Sequence, residues 1–272
     1  VVSAHPLASK VGVEIMKKGG NAFDAAIATQ LALAVVYPGA GNIGGGGFLL
    51  GVNSEGKTIA LDYREKAPAA AHRDMYLDAN GNAQTNLSQN GHLSAGVPGT
   101  VAGLFTTHQY AKLPFKTLIQ PAIELAEKGF VITEAEARNL NGAMGTFVQH
   151  STKPSAFIKY GGWKAGDTLV QKELARTLIR IRDFGQKGFY EGETARLIVE
   201  EMKRGKGMIT LADLKNYKTA VRTAMLSNYR GYTIVGMPLI SSGGLLIQQM
   251  TGMMKEHNIG AMGFHSPQTV QL

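Results

Sequence analysis

The sequence predicts a mixed α/β fold in which helices outnumber strands. Apolar residues recur at helical spacing through most of the chain. Short apolar runs bounded by glycine and turn residues, the pattern of strands, occur in 47–64 and 219–237. No internal repeat and no linker-like stretch divides the 272 residues, so they read as a single domain, 1–272. A chain of this length buries a full core without disulfide or metal staples. Its charged share of 18 % lies below the usual quarter, which argues against disorder.

Leu7, Val11 and Ile15 stand four apart in 6–18, an amphipathic helix stopped by Gly19-Gly20. Asn21 is an N-cap for a second helix at 22–36, apolar on nearly every side and therefore central. Pro38 ends it, and the glycine-rich stretch 41–47 bends into a strand at 47–53. Glu55-Gly56 turns the chain into a returning strand at 58–64. Helices follow at 99–111, at 118–128 with Pro121 in the first turn, and at 134–150. Residues 151–167, with the sole tryptophan, Trp163, read as a surface loop. Helices at 171–184 and 191–204 each close on glycine, and Asp213 begins a short helical turn. Strands at 219–227 and 230–237 precede a helix at 244–257 that opens at Ser241-Ser242-Gly243-Gly244.

Glycine is the unusual residue, 34 of 272, against about 7 % in ordinary proteins. It clusters at 41–47, 96–103, 161–166 and 243–244, which suits close backbone packing and sharp turns. The absence of cysteine removes disulfides, Cys-ligated zinc and thiol nucleophiles. No charge-free stretch of 18 apolar residues occurs, so no membrane span is expected. The net charge of +8 comes from residues 151–250, with 16 basic against 8 acidic side chains. These are spread out, with no basic run and no recognition motif for nucleic acid. A solvated face or an acidic partner chain fits them better.

Four constellations carry chemistry. In Gly41–Phe48 the glycines follow a helix and precede a strand, the reverse of a phosphate-binding loop, and no Lys-Ser/Thr follows. Close packing, or a loop beside a substrate, is the expectation there. In Asp62-Tyr63-Arg64-Glu65-Lys66-Ala67-Pro68 an arginine stands at a strand end. It is suited either to two parallel hydrogen bonds with a carboxylate or to an ordinary pair with Glu65. Ser241-Ser242 at a helix start is an N-cap or an anion contact. The seven histidines form no H-x-x-x-H or H-E-x-x-H pair, and no G-x-S-x-G elbow is present.

Four strings occurring in this order, GGNAFDAAIATQLALAVVYPGAGNIGGGGF, DYREKAP, SAGVPGTVAG and YRGYTIVGMPLISSGGLLIQQM, resemble the large subunit of the gamma-glutamyltranspeptidase family. The resemblance extends from Val2 to about Gly263. Leu239-Ile240 departs from it, since the family carries more prolines before Ser-Ser-Gly-Gly.

The resemblance implies an N-terminal nucleophile hydrolase with a four-layer αββα core, completed by a small-subunit chain cut from the same precursor. It implies no metal and no cofactor. The nucleophile would be the small subunit's N-terminal Thr, so no catalytic residue is expected on this chain. Gamma-glutamyl amides such as glutathione would be the substrates, and water or an amino acid the acceptor. By the same resemblance Arg64 binds the glutamyl α-carboxylate, and Glu65 is a candidate to orient it. Related acylases, polyglutamate-processing enzymes and a non-catalytic relative are the alternatives. A periplasmic or secreted location is implied too. The start at Val1 suggests a processed N-terminus, and the family's large subunit continues past the position of Leu272. Thr106-Thr107-His108 matches the family's cleavage motif by letters but sits in a predicted helix, and reads as coincidence.

Overall fold

A computed structural model describes residues 1–272. Its contacts separate into two compact units, Val1–Gly47 with Tyr63–Thr219, and Phe48–Asp62 with Ala220–Leu272. In chain order the elements are α1 (Pro6–Lys17), α2 (Ala22–Val36), β1 (Phe48–Val52), β2 (Thr58–Asp62), α3 (Thr85–Gln89), α4 (Thr100–His108) and α5 (Phe115–Lys128). There follow β3 (Phe130–Val131), α6 (Glu134–His150), β4 (Thr168–Leu169), α7 (Lys172–Phe184), α8 (Lys187–Tyr190), α9 (Gly192–Gly205) and α10 (Leu211–Asn216). The last are β5 (Ala220–Arg222), β6 (Met225–Tyr229), β7 (Tyr232–Gly236), α11 (Gly243–Met254) and α12 (Pro267–Gln271).

The larger unit is helical and is built around α2, which packs on α1, α4 and α5. The side chains of Ile27, Leu31 and Val35 on α2 are buried with Leu118, Ile119 and Ile123 of α5 and Leu178 and Ile181 of α7. An all-apolar helix has no other stable place than between its neighbours. Its N-terminus is fixed by a reciprocal capping box. Asn21 Oδ1 accepts from the Phe23 and Asp24 amides, and Asp24 Oδ2 accepts from the Asn21 amide. Asp24 is fully buried and also accepts from the Lys112 and Leu113 amides at 2.9 and 2.8 Å. One carboxylate thus closes the helix start against the chain entering α5.

The second unit is formed by three antiparallel strands in the order β1-β2-β5 and by the β6-β7 hairpin, against which α11 packs. Arg222 donates to the buried Asp62 through Nε and Nη2, which ties β5 to β2. The β6-β7 turn is Arg230-Gly231, with φ of 50° and 85°. Both residues are left-handed, as a two-residue hairpin loop requires.

Several elements differ from the sequence expectation. The run 219–227 is two strands, because Thr223-Ala224 lies between β5, which pairs with β2, and β6, which pairs with β7. Pro121 lies inside α5 rather than in its first turn, because buried Phe115 opens the helix earlier. Trp163 is buried within its loop. Its amide donates to Asn141 Oδ1 and its indole N–H to the Phe157 carbonyl. Asp213 does not begin α10. It is the third residue of a capping box whose N-cap is Thr210. Several basic side chains of 151–250 pair locally, as in Arg176–Glu173, Arg196–Glu193 and Lys159–Asp167, which leaves the net excess of that stretch unchanged. Exposed pairs of that kind add little stability each.

A tighter polar cluster ties α9 to the segments around His92 and Thr152. Glu201 accepts from the Thr152 hydroxyl and Arg204, and lies 2.7 Å from His92 Nε2. Partial burial pushes the Glu201 carboxyl up, but Thr152, His92 and Arg204 together outweigh it and bring the pKa down to about 2.

Replacing the buried Asp24 by Ala removes the acceptor of three main-chain amides, those of Asn21, Lys112 and Leu113, and is expected to cost roughly 3 kcal/mol, read as a lower denaturation midpoint. Glu201 contributes stability that is present above its ordinary value of 4.5 and is lost as the pH falls toward about 2. The Glu201→Gln protein is therefore expected to melt below wild type at pH 7, with the gap closing as the pH is taken through that window. A gap that stays constant with pH would contradict the assignment.

Candidate functional site

The segment after β2 carries Arg64 and Glu65. Both are exposed, whereas Tyr63 and Asp62 before them are buried. Three backbone segments converge on this point. Tyr63 and Gly47 exchange main-chain hydrogen bonds at 3.0 and 3.3 Å, and Lys66 and Val97 do so at 3.2 and 2.7 Å. The amides of Gly99 and Thr100, at the start of α4, both donate to the Gly45 carbonyl. Asn42 Oδ1 closes the ring by accepting from the Gly45 amide and the Thr100 hydroxyl.

The approach is close enough to require glycine at particular positions. A Cβ at residue 46 would stand 2.6 Å from the Tyr63 carbonyl oxygen and 2.8 Å from Arg64 Cα. One at residue 99 would overlap the Tyr63 carbonyl and the Tyr217 hydroxyl, and one at residue 103 would overlap the Tyr63 ring. Gly44, by contrast, faces open space. Of the 41–47 stretch only Gly41 abuts the end of α2, at the Leu33 carbonyl. Ile43 is buried in the core, and Gly45, Gly46 and Gly47 contact residues 63–65 and the start of α4 at Gly99 and Thr100. Nothing about this packing resembles a phosphate cradle, since the loop amides of Gly45 and Gly47 are already bonded within the protein.

Two tyrosines brace the site from beneath. The Tyr217 hydroxyl donates to the Arg64 carbonyl at 2.7 Å. Its ring stacks on Tyr190, with centroids 6.0 Å apart and planes 3° from parallel. The Tyr190 hydroxyl donates to the Pro98 carbonyl and accepts from the Ala102 amide, and burial pushes its pKa up, keeping it protonated. Burial likewise raises the Tyr63 phenol, whose hydroxyl donates to Gln30 Oε1 on α2. Tyr190 and Tyr217 were not singled out by the sequence pattern. Tyr217 reaches Arg64 across 153 residues, and local pattern does not report such a pairing.

The other constellations resolve structurally. Ser242 occupies the N-cap position of α11 but its side chain makes no capping bond. The Gly243 amide instead approaches Ser241 Oγ at 3.4 Å. Gly244 is required there because a Cβ would overlap the Met237 carbonyl. His5 and His92 lie against Glu136 and Glu201, and His108 against the Leu113 carbonyl. Thr106 and Thr107 lie within α4 and donate to the Ala102 and Gly103 carbonyls. That places the Thr-Thr-His string in ordinary helix packing. Glu65 has its side chain beside Gly45 and Gly96.

A Gly46→Ala change forces the chain away from Tyr63 and Arg64, whereas Gly44→Ala meets nothing. The first is expected to lower the denaturation midpoint sharply or block accumulation of folded protein, and the second to leave both near wild type. Thermal melts of the two variants check this.

Comparison with known proteins places this geometry. The gamma-glutamyltranspeptidase family model matches residues 8–272. The chain is 45 % identical over 273 residues to the glutathione hydrolase proenzyme of Pseudomonas sp. (strain A14), covering 99 % of this chain and 48 % of that protein. It is 43 % identical over 276 residues to that of Escherichia coli K12, covering 100 % of this chain and 47 % of that protein. The chain thus spans about half the length of these relatives. Among solved structures it is similar to Helicobacter pylori gamma-glutamyltranspeptidase, with a TM-score of 0.96, 44 % identity, and coverage of 99 % of this chain and 78 % of that one. The Bacillus anthracis transpeptidase CapD matches with a TM-score of 0.80 and 37 % identity, over 96 % of this chain and 83 % of that one. With a family match over nearly all its residues and the fold of solved members, the chain belongs to the gamma-glutamyltranspeptidase family.

Proposed function

We propose that this chain is the large-subunit part of an autoprocessed gamma-glutamyl transferase and glutathione hydrolase. The observation that carries the reading is the placement of Arg64. It lies in the DYREKAP string, exposed, on a backbone held from three sides. Guanidinium geometry suits the two oxygens of an α-carboxylate, and a fixed main chain keeps the cost of ordering it low. Glu65, next in the chain, is assigned a role in orienting it.

The reaction itself is assigned to the other half of the precursor. There the hydroxyl of an N-terminal Thr attacks the γ-carbonyl carbon of the substrate, with the Thr α-amino group accepting its proton. The amide C–N bond breaks, the amine leaves with a proton, and the glutamyl group remains as an ester. Water or an amino acid then attacks the ester and releases Thr. Arg64 contributes by holding the far end of the glutamyl group, so that the γ-carbonyl meets the nucleophile in one orientation.

Support for the partner comes from the second unit. Leu246, Ile247, Met250 and Met253 on α11 are exposed, as are Leu226 and Tyr232 on the β6-β7 hairpin. Large apolar side chains grouped on neighbouring elements mark a face for another chain. We assign it to the small subunit cut from the same precursor. No helix is long and apolar enough to cross a membrane. The periplasmic or secreted location implied by the resemblance belongs to the same proposal.

The test is turnover of a gamma-glutamyl anilide by the assembled protein. Losing one partner of a desolvated charge pair costs roughly 2–5 kcal/mol. Arg64→Ala is thus expected to cut kcat/KM by about a hundredfold or more. Arg64→Lys, without the planar fork, is expected to restore only part. Wild-type turnover by Arg64→Ala would overturn the assignment. Failure of the wild-type protein to process itself or to release the anilide would point to a non-catalytic relative.

A further inference from the structure

We propose that Tyr217 is a positioning residue for Arg64, fixing the arginine through a hydrogen bond to its main-chain carbonyl. The inference rests on the role proposed for Arg64 and identifies what holds that residue in register.

The segment 64–69 leaves β2 and runs along the surface, and residues 213–218 lace it at three points. Tyr217 donates to the Arg64 carbonyl at 2.7 Å. Lys66 Nζ donates to the Lys218 carbonyl at 2.7 Å. The Ala69 amide donates to Asp213 Oδ1 at 2.8 Å. Asp213 is itself fixed, since its other oxygen accepts from the Thr210 amide and hydroxyl in the α10 capping box. A short capped helix thus acts as a rigid block to which the arginine segment is tied.

Tyr217 is the buried member of this set, 7 % exposed, against exposed lysines at 66 and 218. Its ring stacks on Tyr190 and has Lys66 Nζ over it, 4.9 Å from the centroid. The absence of a side chain at Gly99 makes room for the hydroxyl. Burial, the stack and the hydrogen bond hold the phenol in place, and it in turn fixes the Arg64 carbonyl. Because Tyr190 is bonded to Pro98 and Ala102, the same stack ties Arg64 to the start of α4.

Phenylalanine keeps the ring, the stack and the cation–π contact and removes only the hydroxyl. A residue that merely supports the fold would lower stability or kcat without singling out substrate binding. In the assembled, processed protein, Tyr217→Phe is expected to raise KM for a gamma-glutamyl anilide about three- to tenfold, the worth of one neutral hydrogen bond, with kcat within about twofold of wild type. The double variant Arg64→Ala/Tyr217→Phe is expected to be no worse than Arg64→Ala, because the phenol acts through the arginine. An unchanged KM, a loss confined to kcat, or multiplying effects in the double variant would overturn the proposal, provided Arg64→Ala is itself impaired. If Arg64→Ala turns over like wild type, the reading of Arg64 fails instead, whatever Tyr217→Phe does.

Discussion

Around residues 63–65 the protein brings three stretches of main chain together with no side chain between them, and the candidate site depends on that contact. Gly46 lies against Tyr63 and Arg64, Gly99 against the Tyr63 carbonyl, and Gly103 against the Tyr63 ring. Glycine loses more conformational freedom on folding than any other residue. That penalty is offset here by main-chain hydrogen bonds between Gly47 and Tyr63, between Lys66 and Val97, and from Gly99 and Thr100 to Gly45. The result is a rigid seat from which an exposed arginine projects, and rigidity at the first contact is what a binding site needs.

The helical core supports the seat from below. Tyr63 donates to Gln30 on α2, and Tyr190 joins the start of α4 to Tyr217. The buried helix, fixed at its own start by Asp24, therefore sets the floor on which the arginine segment rests. Nothing in this arrangement supplies a nucleophile. On the reading proposed above, it gives binding and orientation, and bond-breaking falls to the small-subunit half of the precursor.

Much of this was legible in the residues. Asn21 and the apolar run after it define α2 to the residue, because capping and all-round hydrophobicity are local signals. The hairpin of β1 and β2 was legible from the Glu55-Gly56 turn between two short apolar runs, its strands ending one or two residues short of the expected bounds. The glycine cluster announced close packing but not its object. Only the structure shows that Gly45–Gly47 pack on 63–65 while Gly44 packs on nothing. Trp163 was hidden for a related reason. It joins the hydrophobic core, and its main chain is held by Asn141 on α6, a partner that no local window contains. Tyr217 and Tyr190 belong with it, as aromatic residues whose role lies in long-range hydrogen bonds. Arg64 was found through the string around it, since its chemistry alone favoured an ordinary surface ion pair with Glu65.

The central claim is that Arg64 reads the α-carboxylate of a gamma-glutamyl group. The most direct measurement compares two anilides in the assembled protein, gamma-glutamyl and its 4-aminobutyryl analogue, which lacks only that carboxylate. Wild type is expected to prefer the first by about a hundredfold or more in kcat/KM, the loss expected for a charge pair that bound substrate desolvates. Arg64→Ala is expected to treat the two nearly alike. A preference that survives intact in Arg64→Ala would contradict the account, because the carboxylate would then be read by some other group.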